Sequence, residues 1–305
     1  MIIVCGEALI DLVPTSTRDA YIPRPGGGPA NVAVALGRLG QDVALLTRLP
    51  KDHFGRLLRD HLLQSNVDLS FAAETSEQAT LAVVNLETAG DADYSFYLDN
   101  HVDAGWCVEE LPARLPANAA LHVSGSLALA VPLMGDTLEV LIRREHPHRV
   151  ITFDPNPRPA LTTDPAELRA RLHRWLALAD IVKVSADDLA WTMPGQSIEE
   201  VAQQWHDEGP TLVIITRGAA GVYALGPAGR IALTGATVRI VDTVGAGDAF
   251  MAGLLAALNH ANLLNRDRLA RISGAEQVNC LHYAQHVAEI TCGRAGADPP
   301  WLSEL

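Results

Sequence analysis

The sequence contains few cysteines and no excess of basic residues, and both features narrow the range of functions. Four cysteines in 305 residues, with no C-x-x-C pair and no metal-ligand spacing, give no support for a disulfide framework or a zinc site. Lysines and arginines number 23 against 36 aspartates and glutamates, a formal net charge of −13. A chain this acidic, without a basic run, is a poor candidate for binding nucleic acid.

Long hydrophobic runs are also lacking. No stretch approaches the roughly 20 apolar residues of a membrane helix. The apolar start of the chain is interrupted by Glu7 and Asp11, so it does not predict a secretory signal. With the cysteine pattern, this predicts a cytoplasmic protein without membrane partners, in which Cys5 is a buried free thiol.

Several common enzyme motifs are missing. The sequence has no G-x-x-x-x-G-K-[ST], no G-x-G-x-x-G after the first strand, no H-E-x-x-H and no G-x-S-x-G. P-loop enzymes, dinucleotide enzymes, zinc proteases and α/β-hydrolases are therefore not indicated. His146 and His148 lie near an arginine-rich helix end, which favours a solvated surface over a metal site.

What the chain does contain is a regular alternation of short apolar runs with helical patterns, at 48% hydrophobic residues. The runs predict strands at 2–6, 43–47, 121–124, 150–154, 181–184 and 212–216. The helical patterns predict helices at 30–39, 54–64, 133–144, 166–178, 198–206, 248–259 and 275–291. We expect one three-layer α/β/α domain over residues 1–305, with a mainly parallel sheet and a ligand site at the carboxyl ends of its strands.

Two stretches, 12–25 and 79–103, interrupt this alternation. Neither has a crossover helix, and the second reads as a hairpin with a Gly/Asp turn. We interpret them as a small β-rich lid over the site, because insertions of this kind are commonly functional. An edge hairpin without a function is the alternative.

The stretch 242–250 reads DTVGAGDAF and joins a strand-like run at 239–241 to a helical pattern. A helix that starts at a glycine-rich loop presents free amides and its dipole to an anion such as phosphate. Asp248 in its first turn is placed to accept a proton from a hydroxyl that attacks that phosphate. The alternative is that Asp248 merely caps the helix.

Two further glycine clusters stand next to predicted elements. The first leads into the predicted helix 30–39, and the second follows the predicted strand 212–216. Residues 26–31 read GGGPAN, and Asn31 in the first helical turn could bind polyol hydroxyls, as could Asp11 after the first strand. Alternatively, residues 26–31 form only a flexible turn, and Asp11 only caps a turn after the first strand. Residues 215–221 read ITRGAAG, which suits either a nucleotide-binding turn or an ordinary turn between strands.

With both 26–40 (GGGPANVAVALGRLG) and 242–250 in place, the chain resembles the ribokinase-family sugar kinases of the phosphofructokinase-B type, and most of all bacterial fructokinases. The resemblance extends to GEALIDLVP, FDPNPRPAL, KVSADDL, TRGAAG and CGRAGADPP. It implies a ribokinase-like fold. It implies that Asp248 is the catalytic base and that Gly245, Ala246 and Gly247 form an anion hole. It also implies that Arg158 approaches the phosphate or the substrate. The sugar contacts that it implies are Asp11, Gly27, Asn31 and Tyr97.

The resemblance also implies cofactors. ATP would be bound by Thr216, Gly218, Gly221, Ser185 and Gln285, with Mg²⁺ held through water by Asp188. K⁺ would be bound by backbone oxygens near Asp242, Val244, Arg294 and Gly296. The family's N-x-x-E motif acts on Mg²⁺ and phosphate through water. In this sequence Ser185 and Asp188 stand at its two ends, so we expect the Mg²⁺ role to be retained but the strength of this interaction to differ.

The resemblance implies ATP-dependent phosphorylation of a free sugar, D-fructose to fructose 6-phosphate. Leu98 follows Phe96 and Tyr97 where relatives often carry arginine, and the loss of that arginine favours a neutral sugar over an acid. The alternatives are 2-keto-3-deoxygluconate, ribose, aminoimidazole riboside or a non-catalytic sensor. Pairing of two copies through the lid is a further expectation.

Overall fold

The computed structural model describes residues 1–15, 20–86, 92–98, 101–236 and 238–305. Its strands are β1 (Ile2–Cys5), β2 (Leu9–Pro14), β3 (Tyr21–Gly26), β4 (Val43–Leu46), β5 (Arg48–Pro50), β6 (Ala73–Thr75), β7 (Leu81–Leu86), β8 (Ala92–Tyr97), β9 (Ala120–Ser124), β10 (Ile151–Asp154), β11 (Ile181–Ser185), β12 (Leu212–Thr216), β13 (Val222–Gly226) and β14 (Gly229–Leu233).

The main sheet has the order β14-β13-β12-β11-β10-β9-β1-β4 among the described residues. The pairs from β4 to β12 are parallel, as the alternation of apolar runs and helices predicts. Strands β13 and β14 add an antiparallel edge that the sequence analysis did not include. They are connected by tight turns and no helix, so the alternation rule could not find them.

Ten helices cover the sheet in the described part of the chain. They are α1 (Gly28–Arg38), α2 (His53–Gln64), α3 (Ser126–Ala130), α4 (Pro132–Glu145), α5 (Pro165–Leu176), α6 (Ala186–Thr192), α7 (Ile198–Glu208), α8 (Ala246–His260), α9 (Arg266–Leu269) and α10 (Gly274–Cys292). One core contains buried residues of α1, α2, α8, α9 and α10, and the other contains those of α3 to α7. The predicted three-layer α/β/α fold is confirmed, and seven predicted helices match within two residues at most ends.

Close packing of α8 against α10 fixes the helix that carries the DTVGAGDAF motif. A Cβ on Gly253 would lie 2.9 Å from the Cα of Ala284 and 3.1 Å from the Cβ of Val287. The backbones of the two helices therefore approach each other more closely than a larger residue would permit. Both neighbours are fully buried, so the middle of α8 is closely packed against α10.

A second sheet, with the order β3-β2-β7-β8, forms the predicted lid layer. Strand β2 pairs with β3 in antiparallel fashion and with β7 in parallel. The lid begins at Leu9, three residues earlier than the predicted stretch 12–25. The predicted Gly/Asp turn at 87–91, residues 16–19 and residues 99–100 lie outside the described residues.

The strand expected at 239–241 is wrong. Ile240 and Val241 are 58% and 54% exposed, and the segment belongs to no strand. The amide of Val241 donates instead to the carbonyl oxygen of Cys292, at the end of α10. The apolar, β-branched composition was misleading because this segment's backbone bonds are made with a helix end and not with a sheet.

Other expectations from composition are met. Cys5 is fully buried in β1, and burial raises the pKa of its thiol. All four cysteines are free. No helix in the described ranges is long and apolar enough to span a bilayer.

Candidate active site

The loop that leads into α8 depends on two glycines. Gly245 has a φ of +75°, the left-handed conformation, and directly precedes the first helical residue, Ala246. A Cβ at Gly245 would also lie 2.5 Å from the Cβ of Ala297. At Gly247, a Cβ would lie 3.3 Å from Nζ of Lys183. Glycine is therefore required at position 245 by backbone conformation and by a close neighbour, whereas at position 247 a side chain would only crowd the ammonium of Lys183.

These glycines leave the amino end of α8 uncovered, as an anion-binding helix end requires. Val244, Gly245 and Asp248 line a cleft at this end. Of the three amides expected to form an anion hole, that of Ala246 donates to the carbonyl oxygen of Thr243 at 3.2 Å. The amide of Ala246 is thus engaged within the loop, so the amides of Gly245 and Gly247 are the ones that stay as predicted anion-hole donors.

Asp248 is the carboxylate in the first turn of α8. Its Oδ2 accepts a 2.9 Å hydrogen bond from Nδ2 of Asn31, and its Oδ1 lies 3.5 Å from where a Cβ on Gly28 would stand. Burial raises the pKa of Asp248, while Asn31, Lys183 and Arg158 act in the opposite direction. Asp248 makes no side-chain capping bond to its own helix, so the capping alternative is not supported.

A cleft with a volume of about 150 Å³ opens in front of Asp248. Its lining comes from the end of β1, the lid strands, the start of α1 and the α8 loop: Glu7, Leu9, Asp11, Gly27, Gly28, Asn31, Tyr94, Phe96, Ser126, Arg158, Val244, Gly245 and Asp248. The predicted sugar contacts Asp11, Gly27 and Asn31 are thus brought together with Asp248, more than 200 residues away in sequence.

Asp11 enters the cleft from lid strand β2. Burial raises its pKa to about 7, with Arg158 opposing that shift and Asp248 adding to it. A Cβ on Gly26, which pairs with Leu9 on the neighbouring strand, would collide with Oδ2 of Asp11, so glycine at this position makes room for the carboxyl. A carboxyl that is near its midpoint of ionisation at neutral pH can accept a hydrogen bond from a ligand hydroxyl.

Arg158 provides positive charge on the cleft wall. Its Nη1 donates a 2.7 Å hydrogen bond to Oδ1 of Asn156, a residue in the left-handed region with a φ of +38°. Nδ2 of Asn156 lies 3.1 Å from where a Cβ on Gly28 would stand. The D-x-N-x-R segment is therefore folded against the first turn of α1, with the guanidinium facing the carboxyl groups of the cleft.

An ion pair beneath the loop was not assigned a role by the sequence analysis. Nζ of Lys183 lies 2.6 Å from Oδ2 of Asp154, and both side chains are at most 5% exposed. Burial disfavours the ammonium form, yet Asp154 outweighs that effect and raises the pKa of Lys183. The signal in the sequence was a lysine within the buried run IVKVS, where a charge needs a partner.

Ser185 and Asp188 form a local hydrogen-bonded pair. Oγ of Ser185 donates to Oδ2 of Asp188 at 2.6 Å and accepts from its backbone amide at 3.0 Å, which caps α6. Burial raises the pKa of Asp188, and Ser185 lowers it. Oδ1 of Asp188 accepts no hydrogen bond from the described residues, so it fits a water-mediated Mg²⁺ site.

The residues expected at the nucleotide lie together at the other end of the site. Thr216 ends β12, and Gly218 (φ +51°) and Gly221 (φ +93°) form the turn to β13. A Cβ on Gly221 would collide with backbone atoms of the segment after β14. Nε2 of Gln285 donates to the carbonyl oxygen of Thr234 in that segment at 3.2 Å, and its Oε1 is buried without a partner among the described residues.

This turn joins two antiparallel strands, which was the ordinary reading of the motif. The packing nevertheless brings it beside Gln285, so the two interpretations are compatible.

The four positions expected at a monovalent cation also converge. Asp242 Oδ1 accepts from the amide of Val244 at 3.0 Å, and Oδ2 accepts from the amide of Gly296 at 2.8 Å. The side chain of Arg294 pairs with Glu304, whose Oε1 lies 2.6 Å from its Nη2. No cluster of three or more His, Cys, Asp or Glu suited to a metal occurs in the described ranges.

Tyr97 is not placed where the sequence analysis expected a sugar contact. It is 56% exposed and does not line the cleft, whereas Tyr94 and Phe96 do. Their rings stack with centroids 6.0 Å apart. Strand residues alternate between the faces of a sheet, so 94 and 96 share the cleft side and 97 points away.

A larger cavity, about 400 Å³, lies at the amino ends of β9 and β10. Its buried guanidinium, Arg149, is held by Glu145 and by two carbonyl oxygens, and Arg266 is paired with Asp180. These cations are already satisfied by the protein. The smaller cleft, with its converging and partly unpaired polar groups, is the better functional site.

Comparison with known proteins agrees with this geometry. The sequence profile described as pfkB family carbohydrate kinase matches residues 1–304. A fructokinase of Rhizobium leguminosarum bv. trifolii is 39% identical over 275 residues, which is 89% of this chain and 84% of that protein. A fructokinase of Vibrio alginolyticus is 35% identical over 86% of this chain and 85% of its own.

Solved structures give the same result. Xylella fastidiosa fructokinase with bound ATP superimposes with a TM-score of 0.91 at 29% identity, covering 99% of this chain and 96% of that one. A double mutant of Vibrio cholerae fructokinase, with fructose, ADP and potassium bound, gives 0.86 at 30%, covering 97% and 93%. Aminoimidazole riboside kinase of Salmonella enterica, with its riboside and an ATP analogue, gives 0.83 at 26%, covering 97% and 94%.

Proposed function

The chain belongs to the pfkB family of carbohydrate kinases, and we propose that its reaction is the ATP-dependent phosphorylation of D-fructose to fructose 6-phosphate. The observation that carries the proposal is the position of Asp248. This carboxylate is oriented by Asn31, at the amino end of α8 and in one cleft with Asp11. One helix end can then stabilise a phosphoryl group and activate the hydroxyl that attacks it.

In the proposed reaction Asp248 accepts the proton of the attacking primary hydroxyl as the new O–P bond to the γ-phosphorus of ATP forms. The bond from that phosphorus to the β,γ-bridging oxygen breaks, and ADP leaves with the bridging oxygen. The amides around Gly245 and Gly247 stabilise charge on the transferred group. Arg158 and the buried Lys183 add positive charge from two sides, and both act electrostatically on Asp248. The lid strands exclude water, which would otherwise accept the phosphoryl group.

The ATP end of the proposal uses Thr216, Gly218, Gly221 and Gln285, whose mutual packing is described above. Mg²⁺ neutralises the phosphates of ATP, and the carboxyl of Asp188, oriented by Ser185, would hold its water shell. For K⁺, the joined loops at Asp242–Val244 and Arg294–Gly296 supply backbone oxygens.

The charge of the cleft favours a neutral sugar. Three carboxyls, Glu7, Asp11 and Asp248, line it against the single guanidinium of Arg158 in the described part of the cleft wall. A substrate carboxylate would be repelled by those of the three that are ionised, among them Asp248, which acts as a carboxylate in the proposed reaction. Leu98 packs partly buried against the core and offers no charge to such a substrate.

A nucleoside is the second candidate acceptor. The similarity to an aminoimidazole riboside kinase, at 26% identity with a TM-score of 0.83, favours it specifically. Tyr94 and Phe96 give the cleft an aromatic wall that could contact a base.

Two broader features belong to the same proposal. Its location is the cytoplasm, in keeping with four free thiols and with bacterial relatives. Two copies pair through the lid, because both edge strands of that sheet carry exposed apolar side chains, Tyr21 and Ile22 on β3 and Tyr97 on β8.

The test is ADP release with ATP, Mg²⁺ and K⁺ against D-fructose, ribose, 2-keto-3-deoxygluconate and aminoimidazole riboside. We expect the highest kcat/KM with D-fructose. A higher value for the riboside would select the nucleoside, and background rates with all four acceptors would contradict the proposed reaction.

A further inference from the structure

Glu7 is a buried carboxyl that the proposed reaction does not yet use. It follows β1, its side chain has no exposed area, and it lines the cleft. Neither Oε1 nor Oε2 has a hydrogen-bond partner of ordinary geometry among the described residues. Two unpaired buried oxygens at a ligand cleft are unusual, because native structures pair nearly all such atoms.

The surroundings of Glu7 show that its side chain faces the acceptor part of the cleft. Ser126, another lining residue, is close enough to lower the pKa of Glu7, and Arg158 and Asp248 act on it electrostatically. Burial is the largest effect and raises the pKa. A protonated carboxyl has an O–H donor as well as an acceptor oxygen, which matches the hydroxyl of a polyol.

We propose that the carboxyl of Glu7 hydrogen-bonds a sugar hydroxyl other than the one phosphorylated and helps to determine which sugar is accepted. This inference rests on the proposed function, because it presumes a polyol in the cleft. In the free protein neither oxygen has a hydrogen bond of ordinary geometry among the described residues, although the Ser126 side chain and the backbone of Glu7 interact with the carboxyl, and the sugar supplies a better-placed partner. A sugar without the matching hydroxyl leaves them unpaired in the complex, which weakens its binding.

Asp103 provides a matched control for this inference. It is likewise fully buried, and both its carboxyl oxygens lack a hydrogen-bond partner in the described structure. It is not among the residues of the cleft. Removal of a buried carboxyl for purely structural reasons would therefore have the same consequences at both positions, whereas a sugar contact distinguishes them.

The experiment compares the wild type with Glu7→Leu, Glu7→Gln and Asp103→Leu. KM is measured for D-fructose and for analogues that each lack one hydroxyl: 1-deoxy-, 3-deoxy- and 4-deoxy-D-fructose, and 2,5-anhydro-D-mannitol. For Glu7→Leu we expect KM for D-fructose to rise about 10-fold. The same variant and the wild type should have equal KM values for one analogue, the one that lacks the contacted hydroxyl. Asp103→Leu should leave all KM ratios among the acceptors unchanged.

Glu7→Gln keeps the side-chain volume and guards against a failure of the leucine variant to fold. It replaces one carboxyl oxygen by an NH₂ donor, so it should change the KM ratio of D-fructose to that same analogue and leave the other ratios as they are. Equal shifts for every acceptor, or no shift, would overturn the role of Glu7. An absence of wild-type turnover with D-fructose would overturn the proposed function as well, so the two failures are distinguishable.

Discussion

Nδ2 of Asn31 donates a 2.9 Å hydrogen bond to Oδ2 of Asp248, across 217 residues of sequence. The bond joins the first turn of α1 to the first turn of α8. It holds one carboxylate oxygen and leaves Oδ1 toward Gly28 and the cleft. Asn31 therefore orients the proposed base in addition to its expected contact with the sugar.

The first prediction concerns the base itself. Asp248→Asn should lower kcat by about 10²–10⁴-fold, because an amide cannot accept the hydroxyl proton. Binding of D-fructose, measured by calorimetry, should change little. Asp187→Asn is the control, since Asp187 is an exposed acid in the first turn of another helix, α6. Activity of Asp248→Asn close to that of the wild type would contradict the assignment.

The pH dependence follows from the pKa of the same residue. Burial raises the pKa of Asp248 and the Asn31 bond lowers it, and the active form is the carboxylate. Activity should therefore fall as pH decreases, with an acid limb above the ordinary aspartate range. Asn31→Ala should move that limb to still higher pH, as a profile of kcat/KM will show.

The titration of Asp11 must be distinguished from that of Asp248 in this profile, because the pKa of Asp11 is raised to about 7. An acid limb that disappears in Asp11→Asn and does not move in Asn31→Ala would assign the titration to Asp11 instead.

The Lys183–Asp154 pair gives a prediction that separates stability from catalysis. Lys183→Met leaves Asp154 buried without its cation, which should cost about 3–5 kcal/mol of unfolding free energy. Combining it with Asp154→Leu should restore most of the stability in a denaturant titration. If Lys183 supports phosphoryl transfer, kcat stays low in the stable double variant, whereas recovered turnover would make the pair structural only.

The conformation of Gly245 can be tested against a second glycine. Gly245→Ala should lose stability and nearly all turnover, because it combines a positive φ with a collision at Ala297. Gly195 has a similar φ of +82° with no atom within 4 Å of an added Cβ. Gly195→Ala should therefore cost only the backbone strain, about 1–2 kcal/mol, and keep full activity. Equal activity losses would show that the close contact at the loop is unimportant.

Asp103 should make stability depend on pH. Burial raises its pKa to about 8, so the folded chain binds a proton that the unfolded chain has released, and stability falls as pH increases from about 4 to 8. Asp103→Asn removes this effect. Its Tm should exceed that of the wild type at pH 8 by roughly 2–5 °C, with a smaller difference at pH 5. A difference independent of pH would contradict the shifted pKa.

The parallel sheet, the covering helices and the position of Asp248 could be predicted because each leaves a local signal. Apolar runs, helical periodicity and paired glycines all lie within a few residues of one another. Lys183 and Glu7 were not assigned because their roles depend on partners that only the fold brings near. Tyr97 was misplaced since the choice between adjacent strand residues depends on which face of the lid meets the cleft.

The arrangement of the cleft divides two tasks between separate parts of the chain. The lid strands contribute Asp11, Tyr94 and Phe96, while α8 contributes Asp248 and β11 of the main sheet contributes Lys183 beneath the loop. Acceptor recognition can therefore change through a few lid residues, together with Glu7 after β1, while the phosphate-handling parts stay constant. A chimera that exchanges β2, β3, β7 and β8 with those of a relative should shift its acceptor preference toward that relative's on an unaltered catalytic base, and a full transfer should also require the relative's residue at position 7.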